Sequence, residues 1–248
     1  MKIIKFTKKK DGMYSLLLED SETVLVHEDL ILKYGLLLSK ELDEDKKDLI
    51  EQENLNYTAK TVALKYITTR FRSEKELRDY LKKKMVDKEI IDITIDSLKK
   101  DNYVNDELFC EMFINDKINL SMDGPSKIIK ELNDLGIHSN IISEKMTVFD
   151  TSIQLEKINK IIDKQIKYNH NKSNYILKNK ILNYLTNNGY SSSLSLECLN
   201  SKKFDSDKDL AKKEYDKLYK KFSKKYTGSE LEYVIKQKMY QKGFGSFE

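Results

Sequence analysis

The sequence lacks long apolar runs and is poor in proline, glycine and cysteine. No stretch approaches the roughly 18 consecutive apolar residues that a membrane-spanning helix needs, so the sequence predicts no transmembrane span. The first residues lack the apolar core and the small-residue cleavage site of a signal peptide. Cys110 and Cys198 have no partner spacing and are expected to be buried, reduced thiols. We therefore expect a cytoplasmic protein.

Signatures of catalysis and of metal binding are also missing. The histidines His27, His138 and His170 fit neither an HExxH motif nor a Cys/His ligand spacing. The Gly-rich stretch at residues 243–245 lacks the lysine and the helix of a phosphate-binding loop, and no serine lies in a GxSxG elbow. We expect a binding protein and not an enzyme, with no catalytic, cofactor-binding or metal-ligating residue.

What the sequence does contain is one pattern that recurs four times. Each copy has two apolar anchors four residues apart, then a turn residue four positions later, then an apolar residue. Successive second anchors lie 51, 53 and 54 residues apart, as expected for stacked supersecondary units. The copies read Leu77, Leu81, Met85, Val86; Ile128, Leu132, Gly136, Ile137; Ile181, Leu185, Gly189, Tyr190; and Ile235, Met239, Gly243, Phe244.

Each copy is predicted to contain three helices. In the first, Ser73 and Glu76 form a capping box that opens the anchor-bearing helix. The glycine of the other copies suits a left-handed C-terminal cap, whereas Met85 departs from this rule and its turn is expected to be different or strained. Amphipathic helices are predicted before this one, at 62–67, and after it, at 90–98.

A small β element is predicted ahead of the repeats. A hairpin turns at residues 10–12, residues 23–26 are a candidate third strand, and residues 44–69 read as a long helix that runs into the first copy. The predicted fold is therefore mainly α, with tandem three-helix repeats in an elongated array, straight or curved, and a small N-terminal β-hairpin element. Its predicted parts are 1–58, 59–106, 107–152, 153–207 and an incomplete fourth copy at 208–248.

Basic residues recur on the outer faces of the anchor-bearing helices. Lys75, Arg78 and Lys82 are spaced i, i+3, i+7 on the side away from the first copy's anchors. Such a stripe fits an extended anionic or filamentous partner, while the alternative is a solvated face that only confers solubility. The candidate contacts are Arg70, Arg72, Lys75, Arg78, Lys82, Lys127 and Lys130, with counterparts at Lys178, Lys180, Lys236 and Lys238.

Charge and aromatic residues leave the nature of the partner open. The net charge is −3 over residues 1–60, +2 over 61–207 and +5 over 208–248, which permits an acidic partner such as nucleic acid. Four tyrosines either stack on bases or pack between repeats; they are Tyr66, Tyr80, Tyr103 and Tyr190.

Three segments carry a resemblance to a known family. They are 63-ALKYITTRFRSEKELRDYLKKK-84, the join from Leu98 to Asp106, and the Gly124–Ile137 run G-x-x-K-I-x-x-E-L-x-x-x-G-I. Together they resemble the RecX family of bacterial recombination regulators, in the long form of Gram-positive relatives. The chain departs from the family pattern at Met85 and in its Asn-rich third copy.

The resemblance implies a regulator without enzymatic activity that binds within the helical groove of the RecA filament on DNA. In that family the consequence is modulation, usually inhibition, of strand exchange, RecA-dependent ATP hydrolysis and coprotease stimulation, and thus of DNA repair and the SOS response. A monomer that meets single- or double-stranded DNA through the filament is expected. The alternatives are a stand-alone DNA- or RNA-binding helical-repeat protein and a purely structural protein–protein scaffold.

Overall fold

The structure is a computed structural model that describes residues 1–169 and 171–245. A small antiparallel sheet comes first and helices follow, which confirms the mainly helical fold with an N-terminal β element. The strands are β1 (Ile3–Lys8), β2 (Met13–Leu18) and β3 (Thr23–His27). The helices are α1 (Glu28–Lys33), α2 (Leu36–Ser39), α3 (Glu44–Ile67), α4 (Glu74–Lys83), α5 (Lys88–Lys100), α6 (Asp106–Leu120), α7 (Pro125–Asp134), α8 (Ser139–Lys145) with a 3₁₀ turn at Met146–Val148, α9 (Thr151–Tyr168), α10 (Asn174–Asn187), α11 (Ser192–Ser201), α12 (Lys208–Phe222) and α13 (Gly228–Gln241).

The chain divides into two compact units. The first comprises Met1–Phe109 with Leu135–Ile137, and the second comprises Cys110–Asp134 with the chain from His138 onward. The finer division into an N-terminal element and four copies stays a prediction.

The N-terminal hairpin extends into a three-stranded sheet in the order β1-β2-β3. Side chains alternate across it, so that Ile3, Leu16 and Val26 are buried on one face while Leu25 is exposed on the other. The buried face packs against α1 to α3 and forms the first core cluster. Its helical members are Leu30, Ile31, Leu36 and Ile50.

A single asparagine fastens the long helix α3 to the edge of this sheet. The Asn54 side chain accepts a hydrogen bond from the His27 N–H (2.8 Å) and donates one to the Leu25 carbonyl (2.5 Å). The His27 ring is buried and stacks on Tyr57 with a centroid separation of 5.0 Å. His27 therefore has a packing role in the join between sheet and helix.

Helix α4 begins with the predicted capping box. Ser73 Oγ accepts from the Glu76 N–H (3.2 Å), and the Glu76 carboxylate accepts from the Ser73 N–H (3.2 Å). The first residue of α6 adds a further cap, because Asp106 accepts from the Glu74 N–H (2.8 Å). Asp87 is the N-cap of α5, but its side chain makes no capping hydrogen bond. The buried core of this copy is Ala63, Leu77, Leu81, Ile91, Ile95, Leu98 and Val104.

The anchor-bearing helices of the four copies are α4, α7, α10 and α13. The N-terminus of each of the first three forms a hydrogen bond to the turn that follows the next anchor-bearing helix. The last carbonyls of a helix have no partner within it, so a donor from elsewhere must satisfy them when they are buried. In two cases the donor is a buried N-cap serine, and in the third it is a backbone N–H. The bonds run from Ser73 Oγ to the Leu135 carbonyl (2.8 Å), from the Gly124 N–H to the Asn188 carbonyl (2.6 Å) and from Ser173 Oγ to the Lys242 carbonyl (2.7 Å).

This contact explains the glycine of each turn. Gly189 has a φ of +88°, in the left-handed region, as predicted for a helix C-cap. In addition, a Cβ on Gly189 would lie 2.4 Å from the backbone nitrogen of Lys127, where no atom fits. Gly136 and Gly243 have φ values of +83° and +73°, and their Cβ atoms would lie 2.8 Å from Lys75 and 2.5 Å from Ser173.

Met85 shows why the first copy tolerates another residue. Its φ is +61°, so its turn has the same left-handed form as the glycine turns and the strain is in the methionine itself. Its side chain is 90% exposed, and no preceding copy docks on this turn in the described chain. The close approach that requires glycine elsewhere is therefore missing at Met85.

We predict that Gly189→Ala lowers the free energy of unfolding by about 2–4 kcal/mol, because a left-handed alanine and a backbone clash add together. Gly35→Ala is the matched control, since Gly35 has a φ of +60° and no atom within 4 Å of its Cβ position. The control is expected to cost only about 1 kcal/mol. Urea unfolding followed by circular dichroism measures both.

Equal losses for the two variants would contradict the docking explanation.

Met85→Gly tests the same explanation at the turn on which no preceding copy docks. It should change the free energy of unfolding by less than about 1 kcal/mol, because relief of left-handed strain offsets the added freedom of the unfolded chain.

Candidate functional site

The first five candidate contacts lie on α4 and on the loop before it. Arg70 and Arg72 belong to the loop between α3 and α4, and Lys75, Arg78 and Lys82 lie on α4. Arg70, Lys75 and Lys82 are exposed, whereas Arg72 and Arg78 are partly buried. The sequence prediction therefore brought together residues with two different roles.

Glu76 is the centre of one set of contacts. The Arg70 guanidinium bonds the Glu76 carboxylate (2.5 Å), and Arg72 lies 3.6 Å from the same oxygen. The other oxygen of Glu76 accepts from the Ser73 N–H, so one carboxylate serves the helix cap and both arginines. This arrangement ties the loop before α4 to the first turn of the helix.

Arg72 is held by packing as well as by charge. Its guanidinium lies 4.2 Å from the centroid of the Tyr66 ring, which is a cation–π distance. The Tyr66 ring stacks on Tyr80 with a centroid separation of 3.9 Å and an interplanar angle of 4°. The Arg72 side chain is only 14% exposed and also donates to Thr69 Oγ1 (3.0 Å). Arg72 thus organises the loop, and little of it faces solvent.

Arg78 joins α4 to α5 through carboxylates. Its guanidinium bonds Glu74 (2.6 Å) and Asp92 (2.5 Å), and Lys99 forms a further ion pair with Glu74. Burial alone would raise the pKa of the Glu74 carboxyl, but hydrogen bonds from Lys99 and Arg78 outweigh burial and hold this pKa below its usual range. Most of the charge of Arg78 is therefore satisfied within the first unit.

Lys127 and Lys130, the candidates of the second unit, also differ in role. Lys127 bonds the buried carboxylate of Asp123 (2.5 Å), and Lys117 bridges Asp123 (3.0 Å) and Glu131 (2.5 Å). Burial would raise the pKa of the Asp123 carboxyl, but the hydrogen bonds from Lys127 and Lys117 hold it below its usual range. Lys130 is exposed.

The counterparts in the third and fourth copies do not all point outward as a stripe. Several of them contact neighbouring side chains, while Lys236 is exposed. The contacts are Lys178 over the Phe204 ring at 4.7 Å, Lys180 to Asn169 at 2.8 Å and Lys238 to Gln241 at 3.0 Å.

The tyrosines divide between packing and exposure. Tyr66 and Tyr80 pack on each other, and Tyr190 is buried with its hydroxyl donating to the Met122 carbonyl (3.3 Å). Burial raises the pKa of Tyr190 to about 12. For these three the structure favours packing over base stacking, whereas Tyr103 is half exposed and its role stays open.

We call the exposed cations on and beside α4 the α4 basic surface, defined as Arg70, Lys75 and Lys82–Lys84. Lys83 and Lys84 do not follow the fixed spacing that relates the other basic residues of the copies, so the sequence prediction did not include them. The signal that identifies them is the simple run of three lysines at the end of the helix. Cations at a helix C-terminus are also favoured by the helix dipole.

The described residues contain neither a candidate metal site nor a candidate membrane span. No group of three or more His, Cys, Asp or Glu side chains there is placed to hold a metal ion, and no helix is long and apolar enough to cross a membrane. His138 is an exposed N-cap residue of α8, while His170 lies outside the described residues. Both cysteines are buried, as predicted.

Known proteins resemble this chain over nearly its full length. Residues 59–98 match the model of the first three-helix domain of RecX. The Regulatory protein RecX of Streptococcus sanguinis is 33% identical over 98% of this chain and 95% of its own, and that of Oceanobacillus iheyensis is 30% identical over 96% and 90%.

Solved structures share the fold. A crystal structure of regulatory protein RecX superposes with a TM-score of 0.68 over 81% of this chain and 99% of its own, at 24% identity. The crystal structure of RecX from Lactobacillus salivarius covers 60% of this chain and 96% of its own, with a TM-score of 0.56 at 24% identity.

The ion pairs of Asp123 lead to a prediction about how the free energy of unfolding depends on pH. Because the folded pKa of Asp123 is lowered, its stabilisation is present above the ordinary carboxyl pKa and is lost as pH falls through the folded value. Asp123→Asn should lower the free energy of unfolding by about 1–3 kcal/mol at pH 7, and the difference from the parent should shrink below about pH 4.

Urea unfolding at pH 7, 5 and 3 measures this. Asp116→Asn is the control, since Asp116 is an exposed residue of the same helix as Lys117. It is expected to stay within about 0.5 kcal/mol of the parent at each pH. A difference for Asp123→Asn that is constant from pH 7 to 3 would contradict the role of the carboxylate charge.

Proposed function

The chain belongs to the RecX family of regulatory proteins, and from this premise we propose that it binds along the RecA–DNA filament and inhibits RecA. The inhibited activities would be strand exchange, RecA-dependent ATP hydrolysis and coprotease stimulation. The family supports a regulatory role, and the RecA partner and the direction of regulation are parts of the proposal.

The observation that carries this proposal is the α4 basic surface. It lies within the part of the chain that matches the family's first three-helix domain. Its scaffold is rigid, because Arg72, Tyr66 and Tyr80 form one stack and Arg78 is bonded to α4 and α5. A rigid scaffold lowers the entropy cost of presenting exposed cations to carboxylates or phosphates.

A filament offers the same anionic groups many times over. Each exposed ion pair contributes less than about 1 kcal/mol, so a single contact would be weak. Linked contacts add through effective concentration, which suits a protein that carries basic groups in more than one copy. Lys130 is the proposed contact of the second unit. Lys127 is already bonded to Asp123, so a contact with the partner would have to share the Lys127 ammonium group with this carboxylate.

The test is RecA-driven ATP hydrolysis on single-stranded DNA with stoichiometric protein added. The parent protein should inhibit, and Lys82→Gln/Lys83→Gln, at two exposed positions of the α4 basic surface, should require about tenfold more protein for half inhibition, since two surface charges are lost. The charge-matched control is Lys88→Gln/Lys100→Gln on α5, where both residues are exposed. The control should inhibit like the parent.

Two outcomes would count against the proposal. An ATPase rate that does not change at any protein ratio or salt concentration would exclude RecA inhibition. Equal loss in the control would exclude the α4 basic surface as the contact. A pull-down of RecA with and without DNA then separates a filament regulator from a stand-alone nucleic-acid-binding protein and from a scaffold.

A further inference from the structure

A cavity of about 440 Å³ lies between α9 and the end of α6 with the loop that follows it, and the proposed function does not use it. Its volume falls within the range of about 300–1,000 Å³ that is typical of small-ligand sites. Its apolar walls are Ile118, Leu120, Met122 and Ile153. Leu120 is 83% exposed and Met122 is 46% exposed, so two of these apolar side chains are not packed into the core.

A buried lysine also lines this cavity. Lys157 of α9 is only 8% exposed, although lysine is seldom buried unless an anionic group pairs with it. Its ammonium group donates to the Ser121 carbonyl (2.8 Å), and Ser121 lines the same cavity. Lys157 forms no ion pair with any carboxylate in the part of the chain that the structure describes. An ammonium group has three N–H donors, so two of them remain for a ligand.

The carboxylates that act on Lys157 are engaged by other lysines. Asp123 accepts hydrogen bonds from two of them, and the exposed Glu156 bonds Lys160 (2.5 Å). Burial, and after it the positive charge of Lys160, lowers the pKa of Lys157, and the attraction of Glu156 and Asp123 does not outweigh these two effects. The buried ammonium group therefore lacks a counterion of its own, which is unfavourable for a buried charge.

We propose that this cavity binds a small carboxylate with an apolar body, such as a medium-chain carboxylic acid. The carboxylate would accept hydrogen bonds from the remaining donors of Lys157 and supply its counterion. The apolar body would lie against Leu120 and Met122 and remove their side chains from water. A polyphosphate suits the cavity less well, because Lys157 is the one buried cation among the described residues that line it and Glu156 repels further negative charge. Such binding is independent of the proposed inhibition of RecA.

The experiment is a titration of the full chain with octanoate, followed by NMR of isotope-labelled methionine methyl groups. The chain has seven methionines, and Met122→Leu identifies the signal of Met122. Octanoate should shift this signal with a dissociation constant of about 1 mM or below. Octanol has an apolar chain of the same length and no charge, so it should bind about tenfold more weakly because it supplies no counterion.

Lys157→Met isolates the buried charge, because methionine is unbranched and adapts to the same space without an ammonium group. This variant should bind octanoate about tenfold more weakly than the parent and should no longer prefer octanoate to octanol. Lys164→Met is the matched control, since Lys164 is an exposed lysine of the same helix that does not line the cavity. The control should bind octanoate like the parent.

Leu120→Ser tests the apolar wall independently of Lys157. Because Leu120 is exposed, the fold should tolerate serine at this position. Octanoate binding should weaken about threefold, since apolar contact area is lost. Circular dichroism checks that each variant is folded, and Leu120→Ser and the comparison with octanol test the site even if Lys157→Met does not fold.

Several results would overturn the proposal. They are a Met122 signal that octanoate does not shift at low millimolar concentration, equal binding of octanoate and octanol by the parent, and equal loss of affinity in Lys157→Met and Lys164→Met. A parent chain that is a dimer by light scattering, with a monomeric Leu120→Ser variant, would identify a second copy of the chain as the occupant instead. Because the titration contains no RecA, its outcome is separate from that of the ATPase test.

Discussion

The bond between the start of one anchor-bearing helix and the turn that ends the next is the constraint on which the repeats depend. Helix-terminal carbonyls that would otherwise be buried without a partner accept hydrogen bonds from the buried Ser73 and Ser173 hydroxyls and from the Gly124 N–H. Because the approach is so close, the turn must be glycine wherever a preceding helix docks. The regular recurrence of glycine in the sequence is a consequence of this contact.

Carboxylates decide which basic residues are available to a partner. Glu76 engages Arg70 and Arg72, Glu74 engages Arg78, and Asp123 engages Lys127. These pairs fix loops and join helices, so the partly buried Arg72, Arg78 and Lys127 act mainly on the fold, whereas Arg70 stays exposed beside its pair with Glu76. The exposed cations on and beside α4 carry the proposed contact with RecA.

The scaffold beneath the exposed cations of α4 is held by tertiary contacts. Arg72, Tyr66 and Tyr80 form one stack, and Arg78 joins α4 to α5 through Glu74 and Asp92. These contacts fix the shape of the surface that the exposed cations present.

The sequence by itself determined the local structure: helices with their caps, the left-handed turns, the strands of the N-terminal element and the burial of the anchors. These follow from periodicity and from residues a few positions apart, which is why the capping box of Ser73 and Glu76 was predictable. Only the tertiary structure decided that Arg72 lies on Tyr66, that Lys127 bonds Asp123 within a larger network, and that Met85 escapes the docking that requires glycine at 189. Spacing along one helix places a basic residue on a face, but whether its charge is used internally depends on carboxylates and rings that the fold brings to it.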